Sequence, residues 1–95
     1  MKFMVEMTVK LPHDLDQEVV ADMLAREKAR AQELQRQGVW VHLWRVTGRY
    51  ANVSIFELES AEALHDIMLS LPLFPYMETK VTSLCQHPSA IVQEN

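Results

Sequence analysis

Residues 39–58 read VWVHLWRVTGRYANVSIFEL, and the fold turns on them. Two runs rich in β-branched and aromatic residues, VWVHLWRV and YANVSIFEL, flank the short turn TGR around Gly48, the pattern of a β-hairpin. Simple alternation places Trp40, His42, Trp44 and Val46 on one face of the first strand, and Val39, Val41, Leu43 and Arg45 on the other. In the partner strand Tyr50, Asn52, Ser54, Phe56 and Leu58 share a face, and Ala51, Val53 and Ile55 take its reverse. Both faces are largely apolar, whereas a sheet with one wet face alternates cleanly. Helices can cover one side; the other is expected to meet a second subunit, sheet to sheet. Val41, Leu43, Val53 and Ile55, or their opposite-parity neighbours, are the residues expected there.

Outward from the hairpin, residues 2–10 (KFMVEMTVK) alternate as a strand, with Phe3, Val5, Met7 and Val9 pointing one way. Pro12 ends it. Asp14 or Asp16 can cap a helix that runs to about Gln37, and Gly38 stands at the expected stop. Its apolar stripe is Val20, Leu24, Ala31 and Leu34, with position 27 missing. After the hairpin, Ser60 caps a second helix with Leu64, Ile67, Met68 and Leu71 as its stripe, ended by Pro72 and Pro75. METKVTSLC is the last strand. The order β-α-β-β-α-β with short connections predicts an α+β, ferredoxin-like fold, two helices on one face of a four-stranded antiparallel sheet. LPLFPYM, residues 71–77, is either a partner contact or a connection folded back on its own core.

A chain of 95 residues, 48% hydrophobic with two glycines, reads as one compact domain over 1–95, with a polar tail from about His87. The net charge of −4 and the lack of a Lys/Arg stripe argue against nucleic-acid binding. Cys85 is the single cysteine, which fits a reducing cytosol. MKFMVEMTVK does not read as a signal peptide, and no apolar run approaches the roughly 20 residues of a membrane span. A soluble, cytoplasmic protein without membrane partners is expected.

His13, His42, His65 and His87 are scattered, and HExxH, CxxC, GxSxG and phosphate-cradling glycine loops are missing, so no metal site and no cofactor are expected. His42 is kept as a candidate because it shares its expected strand face with two tryptophans. The gap in the first helix's stripe is Glu27. It can lean out and pair with Arg30 or a nearby lysine, as a surface ion pair worth less than about 1 kcal/mol. Alternatively it faces a cavity between helix and sheet, where burial raises a carboxyl pKa and makes it a stronger proton acceptor. Tyr50 and Asn52, two apart on one strand, can both donate to a single oxygen, or they can cap the end of the hairpin.

MTVKLP (7–12), EK (27–28), WVHLWRVTGRYANVSIF (40–56), LPLFPYM (71–77) and LCQHPS (84–89) together resemble the muconolactone isomerase family over nearly the whole chain. The resemblance implies a ferredoxin-like subunit, sheet-to-sheet dimers of the dimeric α/β-barrel type, and a closed homodecamer. It implies a cofactor-free isomerase of the catechol branch of the β-ketoadipate pathway, converting muconolactone to 3-oxoadipate enol-lactone by a proton shift. By the same resemblance Glu27 is the base, and Tyr50 and Asn52 belong to the substrate pocket; His42 is added from strand parity alone. The substrate's acetate arm calls for a cation or several N–H donors, with Lys28, Arg26, Arg45 and Arg49 as the candidate cations. Two alternatives remain open: a chloromuconolactone dehalogenase-like activity, and a non-catalytic ligand-binding module on the same scaffold.

Overall fold

The computed structural model describes residues 1–92; the last three residues of the polar tail lie outside it. The elements run β1 (Lys2–Val9), α1 (Gln17–Arg36), β2 (Trp40–Arg45), β3 (Ala51–Glu57), α2 (Ala61–Leu69), a 3₁₀ turn (Phe74–Tyr76) and β4 (Met77–Leu84). The strands form one antiparallel sheet in the order β2-β3-β1-β4, so the expected ferredoxin-like fold is the one observed.

Local chemistry sets the boundaries. The Asp16 carboxylate accepts from the Glu18 N–H at 2.8 Å, so of the two candidate caps Asp16 is the one used. At the other end Gly38 adopts φ +75°, and the Val39 N–H returns to the Leu34 carbonyl, a left-handed stop that glycine takes without a Cβ penalty. Ser60 caps α2 through its hydroxyl, which accepts from the Ala63 N–H at 3.1 Å. In the hairpin turn the Arg49 N–H reaches back to the Val46 carbonyl, and Gly48 takes φ +79°.

One face of the sheet packs beneath the helices. Phe3, Val5 and Met7 of β1 and Phe56 of β3 meet Ala31, Leu34, Leu64, Met68 and Leu71 in a single hydrophobic cluster. Met23, outside the expected stripe, is buried, while Leu24 is rotated to the edge and 37% exposed. LPLFPYM folds back on this core: Leu71 and Leu73 are buried, and Phe74 and Met77 pack against the cluster.

β2 departs from simple alternation. Trp40 pairs with Phe56 and His42 with Ile55, so Val41 is an extra residue, a β-bulge that reverses the parity of everything after it. Trp40 therefore stays under the helices, with its ring 4.8 Å from that of Phe56. His42 and Trp44 turn to the opposite face, where their rings stack at 4.8 Å. Leu43 and Arg45, paired with Ser54 and Asn52, swing to the helix side.

Phe56 is fully buried in the middle of this cluster. Phe56→Ala is expected to lower unfolding stability by about 3–5 kcal/mol, read by urea denaturation at fixed protein concentration. A loss below about 1 kcal/mol would mean that the cluster does not hold the sheet to its helices.

Candidate active site

A cavity of about 410 Å³ opens between α1, the hairpin end of the sheet and the connection before β4. Leu24, Ala31, Trp40, Leu43, Leu73 and Met77 give it apolar walls, and Glu27, Lys28, Arg45, Tyr50 and Asn52 supply its polar groups. Its size suits a small organic ligand.

Glu27 reaches this cavity because the stripe of α1 turns toward the sheet. Its carboxylate accepts a hydrogen bond from the Leu73 backbone N–H at 2.9 Å. The surface ion pair is not formed: Arg30 instead bonds Glu33 at 3.2 Å and the Ser70 hydroxyl at 3.1 Å. Burial pushes the Glu27 carboxyl pKa up, and the Leu73 N–H, which favours the charged form, offsets only part of that rise.

Tyr50 and Asn52 both line the cavity, as their shared strand face predicts. The Asn52 side-chain oxygen accepts from the Ser54 hydroxyl at 2.7 Å, which leaves its amide N–H groups as the available donors. Tyr50 lies beneath the Arg45 guanidinium, whose central carbon sits 5.2 Å from the ring centroid. His42 is a correction: the bulge at Val41 places it on the outer face against Trp44, and it forms no part of the cavity wall. Of the four candidate cations, Lys28 and Arg45 line the cavity, whereas Arg26 is paired with Asp22 at 2.8 Å and Arg49 lies outside the wall.

Reading side chains one at a time missed the Leu73 N–H, because a backbone donor has no residue signature. The two prolines around Leu73 were the available signal, since they force a tight connection there. Leu43 was missed for the same reason that His42 was misplaced. Among the described residues, no three His, Cys, Asp or Glu side chains gather as a metal-ligand set.

An antiparallel sheet under two helices, with a half-buried carboxylate in a mostly apolar cavity between them, defines a ferredoxin-like protein with a small-molecule site. The family model described as muconolactone delta-isomerase matches residues 1–90. Muconolactone Delta-isomerase 2 of Acinetobacter lwoffii is 56% identical over 91 residues, covering 96% of this chain and 95% of that one. The Pseudomonas aeruginosa Muconolactone Delta-isomerase matches at the same identity and coverage. A crystal structure of muconolactone isomerase superposes with a TM-score of 0.95 at 54% identity, covering 100% of this chain and 99% of that one. The chain belongs to the muconolactone delta-isomerase family.

The raised pKa of Glu27 has a stability consequence with a definite sign. A carboxyl whose folded pKa exceeds its unfolded value, about 4.3, binds its proton more tightly when folded. Its contribution is therefore full below that value and is lost as pH rises through the raised folded pKa. Glu27→Gln cannot ionise, so its unfolding stability relative to the native protein is expected to be higher at pH 7 than at pH 4. Urea denaturation at the two pH values reads the difference; an equal offset at both would place Glu27 in a water-like environment.

Proposed function

We propose that this protein is a muconolactone delta-isomerase, in which Glu27 carries a proton from one ring carbon of the lactone to another. The Glu27 carboxylate, seated in an apolar cavity and held by the Leu73 N–H, is the observation that carries the reading. Relatives named as muconolactone delta-isomerases, 56% identical over nearly the whole chain, support the same substrate.

In muconolactone the hydrogen on ring carbon 4 is acidified through the C2=C3 double bond by the lactone carbonyl. Glu27 takes that proton, and the C–H electron pair becomes the C3=C4 bond. The former double bond shifts toward the carbonyl, whose oxygen takes up the negative charge of a dienolate. The protonated Glu27 then returns the proton to carbon 2, and the carbonyl re-forms. The product is the enol-lactone, with no net oxidation. Burial suits Glu27 to both steps, because a higher pKa makes it a better acceptor first and leaves it a competent donor afterwards. Tyr50 and the Asn52 amide, both at the cavity wall, would donate to the dienolate oxygen and stabilise its developing charge. Of the candidate cations for the acetate arm, Lys28 and Arg45 are the two at the wall.

The subunit is proposed to work as a homo-oligomer of sheet-to-sheet dimers, with a homodecamer as the closed form, in the cytoplasm. Support comes from the outer sheet face, where Trp44 is 56% exposed beside His42, Val53 and Ile55. A second copy covering this face would remove its apolar surface from water. Among the described residues no helix is long and apolar enough to cross a membrane.

Ultraviolet assay of the purified protein with muconolactone tests the activity, and turnover is expected to survive exhaustive EDTA treatment and dialysis. Loss with EDTA that one divalent ion restores would overturn the proton-shuttle mechanism. Glu27→Gln keeps size and hydrogen-bonding reach but removes the base, so kcat is expected to fall about 10²–10⁴-fold. Near-normal turnover in that variant would remove Glu27 from the mechanism. Trp44→Asp is expected to reduce the oligomer in native mass spectrometry; an unchanged assembly would place the subunit contact elsewhere.

A further inference from the structure

We propose that Arg45 is the residue that binds the carboxylate arm of the substrate and so sets the preference for carboxylated over neutral lactones. The inference rests on the isomerase reading and deepens it.

The bulge at Val41 is what brings Arg45 to the site. Without that extra residue, position 45 would share a face with Val53; with it, Arg45 pairs with Asn52 on the cavity side. Its guanidinium carbon lies 5.2 Å from the Tyr50 ring centroid, and among the described residues none of its guanidinium N–H groups donates a hydrogen bond. That leaves the N–H fork, which matches a carboxylate in two parallel bonds. Among the described residues Arg45 has no carboxylate partner, whereas Arg26 and Arg30 are paired with Asp22 and Glu33.

Lys28 is the competing cation, and its position disfavours it. It follows Glu27 directly on α1, so an anion drawn to Lys28 would sit on the same wall as the Glu27 carboxylate. Two like charges sharing a half-buried site oppose each other's ionisation. Arg45 reaches in from the sheet instead, so the ring can lie between base and anchor. The arm's methylene joins its carboxylate to ring carbon 4, the carbon that loses the proton. Anchoring the arm at Arg45 therefore fixes that carbon relative to Glu27 while keeping the two carboxylates on different walls.

The test compares the native protein with Arg45→Met, Arg45→Lys and Lys28→Met. Muconolactone turnover is measured in the presence and absence of 5-methyl-2(5H)-furanone. That neutral lactone keeps the unsaturated ring and carries methyl in place of the acetate arm. Arg45→Met is expected to raise KM for muconolactone about 10- to 100-fold, the range of a lost charge-assisted hydrogen bond. Its inhibition constant for the neutral lactone should stay within about twofold, because that ligand makes no such bond. Arg45→Lys should fall between, retaining charge without the fork. Lys28→Met, at the other wall cation, should raise KM for muconolactone less than Arg45→Met does.

An Arg45→Met protein with native KM overturns the proposal. So does a parallel weakening of the neutral lactone, which would mean that Arg45 only shapes the wall. A KM loss confined to Lys28→Met would assign the anchor to Lys28. Thermal unfolding of each variant separates a folding defect from a binding defect; Arg45 is exposed, so native stability is expected. Failure of the native protein itself to isomerise muconolactone would overturn the function reading, an outcome distinct from all of these.

Discussion

The hydrogen bond from the Leu73 N–H to Glu27 ties together parts of the chain that are 46 residues apart. One partner belongs to the middle turn of α1, the other to the connection between α2 and β4. Holding them 2.9 Å apart seats α1 against the end of the sheet and closes one side of the cavity. The same bond gives the half-buried carboxylate a donor, without which its partial burial would cost more. One N–H leaves the carboxylate short of partners, and desolvation outweighs that bond in setting its pKa. A carboxylate bonded by two or three amides would be too weakly basic for proton abstraction next to a carbonyl. Partial satisfaction keeps the Glu27 carboxylate more basic than two or three such bonds would.

Around that contact the wall is divided by element. The helix supplies Glu27 and Lys28, the sheet supplies Trp40, Leu43, Arg45 and Asn52, the hairpin turn supplies Tyr50, and the connection supplies Leu73. A ligand between them would meet the Glu27 carboxylate from one side and Tyr50 and Asn52 from the other. A single β-bulge makes the sheet side what it is. Val41 adds one residue to β2, and because side chains alternate with period two, that residue exchanges the faces of every position beyond it. Leu43 and Arg45 enter the cavity, and His42 and Trp44 leave it to form an exposed aromatic pair on the outer face. One inserted residue thus shapes two surfaces, the cavity wall and the outer face of the sheet.

The sequence by itself determined the elements and their order. Alternation in residues 2–10 and 39–58, Asp16 and Ser60 as caps, and Gly38 and Gly48 as left-handed positions are all local properties, set by the residues within a few positions of each. Glu27 was legible for the same reason, as a break in a periodic stripe, and Tyr50 and Asn52 as a pair two apart. Tertiary structure alone decided what these features face. The bulge at Val41 lies in a run with no glycine or proline to mark it, and only pairing with β3 makes one residue surplus. Its parity change removed His42 from the site and brought in Leu43 and Arg45. The Leu73 N–H was equally invisible, since every residue but proline carries the same donor and only packing aims it at Glu27. Local periodicity is written in neighbouring side chains, whereas register and the direction of a backbone donor arise only when distant segments meet.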